Sequence, residues 1–200
     1  FRAWVAALLS PALQEIGSSP RPDDTEERRQ LRASLFASLG ETARDPDTIR
    51  VARRLVESEL DSPGSLDSNL LNEVVKVAAL GGDATLYDRY LARSRQAVDP
   101  EEHYRYLYAL ASFSDPALVQ RTIGDILGPD VRSQDAALFV ARLLTNPDAQ
   151  TRAWDLLRAH WDDFQKKTGQ VFGAPGVAGA RACGPGGPRR DARVRVPRAL

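Results

Sequence analysis

Apolar residues recur every three to four positions through most of this chain, which is the spacing that gives a helix one buried face. The pattern is clear over residues 118–126 and 139–144. No stretch alternates between apolar and polar residues as a half-buried strand would, and the hairpin dipeptides Asn-Gly and Asp-Gly are absent. The pattern therefore predicts an all-α fold.

Helix start and stop signals divide the first 168 residues into nine predicted helices. Their bounds are residues 2–16, 25–39, 46–60, 68–80, 84–97, 100–112, 116–127, 134–145 and 148–167. With connections this short, neighbouring helices are expected to pack as hairpins.

Four junctions between these helices carry an acid or amide followed by proline: Asp45-Pro46, Asp99-Pro100, Asp115-Pro116 and Asn146-Pro147. The side chain of such a residue can accept a hydrogen bond from a free amide of the helix that follows, and proline suits the first helical position. We therefore interpret these residues as helix N-caps rather than catalytic acids. Glu102, three residues after Asp99, would complete a capping box.

The helix starts at Asp45, Asp83, Asp115 and Asn146 lie about 30 to 40 residues apart, and one further helix fits into each interval. Two helices per unit at this period are typical of an α-solenoid, whose hairpins bury their apolar faces against one another. The sequence thus predicts an irregular superhelix of the HEAT or armadillo type. A single non-repetitive helical bundle is the alternative.

Composition excludes several classes of protein. The 27 basic and 27 acidic residues balance, so net charge gives no argument for nucleic acid as a partner. No apolar run approaches the roughly 20 residues of a membrane span, and no signal peptide is evident. The single Cys183 allows no internal disulfide and fits a reducing compartment. We expect a soluble chain, with the cytoplasm slightly favoured, although its localisation stays open.

The last thirty residues differ in composition from the rest. Gly, Pro, Ala and Arg make up 21 of the 27 residues from position 174 onward, without helical period. The sequence therefore predicts a helical domain over residues 1–170 and a disordered tail over residues 171–200. The chain has no methionine and begins at Phe1, which suggests a piece of a longer protein.

Catalytic motifs are missing. His103 and His160 are too far apart for a helical zinc motif, and neither a nucleophile elbow nor a phosphate loop occurs. We interpret His160 as part of a packed face between Trp154 and Trp161, and we expect His103 to face solvent. No catalytic residue, metal ligand or cofactor is predicted in this chain.

One group of side chains has the chemistry to bind a peptide. It comprises five tyrosines and four arginines: Tyr87, Tyr90, Tyr104, Tyr106, Tyr108, Arg89, Arg93, Arg95 and Arg105. Rings and guanidinium groups can stack on a peptide and pair with its carboxylates. Alternatively, Tyr87, Tyr104 and Tyr108 pack between hairpins while the arginines are solvated.

Three motifs carry a resemblance to a known family. They are L-x-A-L-x-x-x-x-D-P at residues 107–116, V-R-x-Q-D at 131–135 and A-W-x-x-L-x-x-x-W at 153–161. In this order and spacing they resemble the C-terminal helical domain of zinc aminopeptidases of the aminopeptidase N and puromycin-sensitive type. Residues 1–58 fit the first hairpins of that domain.

The resemblance implies a HEAT-like superhelix that closes over the catalytic domain of the same polypeptide and walls the cavity for a peptide substrate. It also implies that zinc and its His-Glu-x-x-His helix belong to an earlier domain, so no catalytic role transfers to this chain. Arg132, Gln134 and Asp135 match the V-R-x-Q-D motif and are expected to hold an inter-helix junction, with substrate contact as the alternative. A free-standing scaffold that binds another protein is the alternative function.

After Gly173 the sequence departs from that family, in which another amphipathic helix pair usually follows. Reading GC-rich codons out of frame gives mainly Gly, Ala, Pro and Arg, so we hypothesise a frameshift in the tail. The last predicted helix would then lack a partner, and we expect Trp161 or Phe164 to be exposed.

Overall fold

Ten α-helices make up most of the computed structural model, which describes residues 1–169. They are α1 (Arg2–Ile16), α2 (Glu26–Ala37), α3 (Pro46–Asp61), α4 (Ser68–Leu80), α5 (Ala84–Gln96), α6 (Pro100–Ala109), α7 (Pro116–Leu127), α8 (Ser133–Thr145), α9 (Gln150–Ala159) and α10 (Trp161–Thr168). Within these residues there is no strand. The all-α prediction is confirmed.

The helices form two layers of an irregular HEAT-like superhelix. Successive helices pack as pairs, α3 on α4, α5 on α6 and α7 on α8. The inner layer continues from α2 to α4 to α6, and in the outer layer α7 packs on α9. One continuous core runs between the layers, as expected when each hairpin buries its apolar face only against its neighbours.

Aspartate side chains cap the N-termini of several of these helices. Asp45 Oδ2 accepts a hydrogen bond from the Thr48 amide at 2.8 Å, and Asp115 Oδ1 accepts from Ala117 and Leu118 at 2.9 and 3.1 Å. A carboxylate at this position satisfies amides that have no partner within the helix. Further N-cap aspartates that accept a backbone amide are Asp67, Asp83 and Asp99.

Two of the predicted cap interactions are wrong. Asn146 lies at the C-terminal end of α8, and α9 begins only at Gln150 after a turn. Its Oδ1 accepts from the Asp148 amide within that turn at 3.2 Å, not from α9. Glu102 does not complete a capping box at Asp99. Its Oε1 instead accepts from Arg93 Nε at 2.6 Å, and a charged donor outcompetes a backbone amide.

The predicted helix 148–167 is two helices that meet at His160. The predicted packed face of Trp154, His160 and Trp161 is also wrong, since their side chains are about half exposed. The first helix buries Ala153 and Leu157, and Trp154 lies about 100° away from that face. Trp161 is exposed as expected, whereas Phe164 is partly buried against the core.

The tail predicted over residues 171–200, together with the frameshift hypothesis, lies outside the described residues. Cys183 lies there as well.

The connection between α2 and α3 packs closely against α4, which the sequence did not predict. A π-helical segment, Ser38–Thr42, extends α2, and Arg44 follows in the left-handed region at φ 56°. A Cβ atom on Gly40 would lie 2.4 Å from Val77 Cγ1, so only glycine lets this segment approach α4 so closely. Similarly, α6 ends in a 3₁₀ turn, Leu110–Ser112, within the predicted helix 100–112.

Connections between successive repeats, which we call corners, stack directly on one another. A Cβ atom on Gly82 would lie 2.3 Å from the Phe113 ring, so the corner after α4 touches the corner after α6. In turn, Asn146 Nδ2 donates to the carbonyls of Ala111 and Phe113, at 3.1 Å each. The corners after α4, α6 and α8 therefore form a continuous stack that aligns the inner helices.

We expect Asp115→Ala to lower the free energy of unfolding by about 1 kcal/mol, because two amides of α7 lose their acceptor. Gln120→Ala, on the exposed side of the same helix, serves as the control and should stay within about 0.5 kcal/mol of the parent. Urea unfolding of the purified chain measures both values. An unchanged stability would contradict the role of Asp115 as a cap. A collapse of turnover in a parent enzyme at unchanged stability would make Asp115 a catalytic candidate again.

Candidate functional site

The inner helices line a groove of about 810 Å³. Its walls come from the π segment, α4, α6 and α8, so each of the three inner helices α4, α6 and α8 contributes one strip of surface. Polar side chains that line it include Glu41, Asn72, Lys76, Tyr104, Arg105 and Arg142. The volume lies within the range of cavities that hold small molecules or a few residues of a peptide.

One end of the groove is closed by contacts between the first and the last corner. Arg44 Nη2 lies 2.9 Å from Asp148 Oδ2 and 3.5 Å from Asn146 Oδ1, although about 100 residues separate the partners. The left-handed backbone of Arg44 costs a non-glycine residue roughly 1 kcal/mol. This conformation allows Arg44 to contact the last corner, and the contact joins the α2–α3 connection to the α8–α9 connection.

Two stacked tyrosines form the aromatic part of the groove. The Tyr104 and Tyr108 rings lie 5.2 Å apart at an angle of 14°, and the edge of Phe139 supports Tyr108 from α8. The Tyr104 hydroxyl donates to Asp135 Oδ2 at 3.2 Å. Burial raises the pKa of Tyr108, and the nearby Asp135 carboxylate adds to that rise, so the phenol stays neutral at physiological pH.

Most charged side chains in the groove are paired with a neighbour. Lys76 Nζ lies 2.6 Å from Glu73 and 3.5 Å from Glu41. Arg105 is only 10% exposed and donates to Glu101 at 2.7 Å and to Asn72. These pairs hold the polar wall in one arrangement.

The predicted group of tyrosines and arginines is divided by the structure. Tyr87, Tyr90 and Tyr106 are fully buried in the core, so they cannot touch a peptide. Only Tyr104 and Tyr108 reach the groove. Each of the four arginines has an acidic partner: Arg89 with Asp61, Arg93 with Glu102, Arg95 with Asp130, and Arg105 with Glu101. Arg89, Arg93 and Arg95 also remain partly exposed to solvent, whereas Arg105 is largely buried.

The V-R-x-Q-D motif lies at the start of α8, beside the groove rather than in its lining. Arg132 and Gln134 are exposed, and Arg132 caps the helix only with its backbone. Asp135 is buried and joins α8 to α6 through the Tyr104 hydroxyl. Of the three residues, Asp135 is thus the one with an inter-helix contact.

Sequence reasoning missed Arg44, Asn72, Lys76 and Arg142 as groove residues. A signal was present in α4, where Asn72 and Lys76 recur four positions apart within a mostly apolar helix. Such a polar stripe on an inner helix indicates a solvated groove. Arg44 carried no such signal, since its place depends on the π segment before it.

Among residues 1–169 no cluster of three or more His, Cys, Asp or Glu side chains could hold a metal ion. His103 does not face solvent as predicted: its Nδ1 lies 2.8 Å from the Ser94 carbonyl, and its ring packs on Tyr104. Donation from Nδ1 to a carbonyl fixes the tautomer and the orientation of the His103 ring.

Fold and groove together define a helical-repeat domain that offers a preformed polar and aromatic surface. The family model named "ERAP1-like C-terminal domain" matches residues 1–181, and the chain belongs to this family of aminopeptidase C-terminal domains. No helix in the part that the structure describes has the length and apolar character needed to cross a membrane.

Curated relatives of this chain are aminopeptidases. Aminopeptidase N of Lactobacillus helveticus is 29% identical over 169 residues, which is 81% of this chain and 19% of the relative. Alanine/arginine aminopeptidase of Saccharomyces cerevisiae is 26% identical over 80% of this chain and 19% of its own length. Aminopeptidase M1-D of Oryza sativa subsp. japonica is 26% identical over 80% and 18%. The chain spans about one fifth of the length of these relatives.

We expect Asn146→Ala to destabilise the chain by about 2 to 3 kcal/mol, because it leaves two buried carbonyl groups without a donor. Asn69→Ala is a matched control at an exposed position on α4 and should change stability by about 0.5 kcal/mol or less. Denaturant titration followed by circular dichroism measures both. Equal effects of the two substitutions would contradict the role of Asn146 in joining corners.

Proposed function

We propose that this chain is the non-catalytic C-terminal domain of a zinc aminopeptidase, which closes over the catalytic domain and walls the cavity that receives the peptide. The observation that carries the proposal is the preformed groove of about 810 Å³ that α4, α6 and α8 line. A concave inner layer of helices is the surface that helical-repeat domains commonly use for binding.

The family relationship and the absence of a metal cluster among residues 1–169 both favour a role through shape. Zinc does not fit the side chains present here, so its ligands would belong to the catalytic domain. The domain then acts by limiting and orienting the peptide beyond its N-terminal residue, not by taking part in bond cleavage.

The groove chemistry suits an extended peptide. The stacked tyrosines offer apolar surface, while Asn72 and the paired charges offer hydrogen bonds at fixed places. Because most of these side chains are already held by neighbours, little conformational entropy is lost when a peptide binds.

A free-standing scaffold would use the same face. An upstream reading frame with His-Glu-x-x-His supports the aminopeptidase, and a start codon directly before Phe1 supports the scaffold.

The isolated chain should release no N-terminal residue from peptides, with or without added zinc. Mass spectrometry of a peptide mixture after incubation with the purified chain detects any such cleavage. Turnover that depends on zinc and is lost with a chelator would contradict the proposal that catalysis resides elsewhere.

In the full-length enzyme, Thr145→Trp should place a large ring in the groove from its exposed rim on α8. We expect kcat/KM for peptides of eight or more residues to fall about tenfold, a barrier change of roughly 1.4 kcal/mol, while a single-residue amide substrate is unaffected. Gln120→Trp, at an exposed position outside the groove, is the control. An equal loss for both substrate lengths, or no loss for either, would argue against the cavity role.

A further inference from the structure

Neighbouring helix pairs of the superhelix meet along two edges, and the contacts at these edges differ in kind. One edge, which we call the corner edge, contains the corners at the C-terminal ends of α4, α6 and α8. There Gly82 packs against the Phe113 ring, and Asn146 donates to two backbone carbonyls. Because Phe113 and Asn146 are buried and closely packed, the corner edge resists deformation.

Polar side chains join the helix pairs at the opposite edge, which we call the polar edge and where α4, α6 and α8 begin. Between the pair α3–α4 and the pair α5–α6, Arg89 forms an ion pair with Asp61. On the groove side of the same interface, Arg105 Nε donates to Asn72 Oδ1 at 2.5 Å. This interface therefore carries an ion pair on the outer layer and a hydrogen bond beside the groove.

The next interface repeats this arrangement. Between the pair α5–α6 and the pair α7–α8, Arg95 donates to both carboxylate oxygens of Asp130, at 3.0 and 2.6 Å. The hydroxyl of Tyr104, which lines the groove, donates to Asp135 at 3.2 Å. The polar edge is thus a repeated feature of the structure, and both interfaces have the same two kinds of contact there.

Salt acts strongly on the ion pairs of the polar edge, because these side chains are accessible to solvent. The side chains of Asp61 and Arg95 are 71% and 52% exposed. Ion pairs between exposed side chains are individually weak, and dissolved salt screens them further. High ionic strength should therefore weaken the contacts between helix pairs at this edge.

The corner edge is less sensitive to salt. Its contacts between Gly82 and Phe113, and from Asn146 to backbone carbonyls, involve no charged group. Arg44 and Asp148 add an ion pair there, but the Arg44 side chain is only 13% exposed, and salt screens buried pairs much less. Raising the salt concentration should thus loosen one edge and leave the other unchanged.

We propose that the groove has one adjustable edge: when salt weakens the ion pairs of the polar edge, the N-terminal ends of α4, α6 and α8 spread apart while their C-terminal ends stay together. Buried apolar side chains between the helices limit this movement to about 1 to 2 Å, the usual size of shifts between packed helices. Because these three helices line the groove, the groove widens at the polar edge. The inference goes beyond the proposed function, since it concerns the shape of the chain alone and needs no peptide.

Distances between pairs of nitroxide labels, measured by double electron–electron resonance on the purified chain, test the proposal. Cys183→Ser comes first, so that labels attach only to introduced cysteines. One label pair replaces the exposed residues Asn69 and Gln134 at the polar edge, and a second replaces the exposed Thr42 and Thr145 at the corner edge. Between about 0.01 M and 1 M sodium chloride the screening length falls from about 30 Å to about 3 Å. We expect the first distance to increase by about 1 to 2 Å and the second to stay constant.

The variant that combines Arg89→Gln with Arg95→Gln should show the longer distance at the polar edge already at low salt, and salt should no longer change it. Arg50→Gln is the matched control, because Arg50 pairs with Asp47 on the same helix and this ion pair crosses no interface between helix pairs. It should keep the shorter distance and the full response to salt. Circular dichroism checks that each variant is folded.

The proposal is overturned if neither distance responds to salt, if both increase equally, or if the response at the polar edge survives in the double glutamine variant. An equal increase at both edges would mean that salt loosens the whole domain. The kinetic test with Thr145→Trp is independent of these measurements, so the adjustable edge and the cavity role can each fail alone.

Discussion

Direct contact between successive corners of the repeat is the constraint on which the remaining architecture depends. Gly40 and Gly82 bring backbone against Val77 and Phe113 where any larger residue would collide. Asn146 joins the next corner by donating to two backbone carbonyls. Because these contacts hold the corners against one another, α4, α6 and α8 lie side by side, and their inner surfaces line the groove.

The proposed function rests on this fixed arrangement rather than on reactive groups. The contact of Arg44 with Asp148 links the first corner to the last, and ion pairs hold most of the polar wall. A wall of this kind offers a peptide partners that need little rearrangement, which is how preorganised sites gain affinity. Arg142 is the clearest exception within the described groove, because it lines the groove without forming an ion pair.

Local chemistry made much of the fold predictable. An aspartate that accepts an amide and a proline in the first turn act within four residues, so the starts of α3, α6 and α7 could be read from the sequence. Features that depend on distant contacts could not be predicted from the sequence. The engagement of Asn146 by another corner, the π segment before Arg44 and the break at His160 depend on neighbours that no sequence window contains. The Tyr104 and Tyr108 stack was foreseen only as part of a larger group.

The central claim is that the concave face of the inner helices receives the peptide, and paramagnetic relaxation tests it most directly. A peptide with a nitroxide label is added to the isotope-labelled chain, and signal loss is recorded for each backbone amide. The account predicts strong loss at Asn72, Tyr104 and Thr145, which line the groove, and none at Gln120 on the outer helix α7. Loss centred on α7 or α9, with the groove amides unaffected, would contradict it.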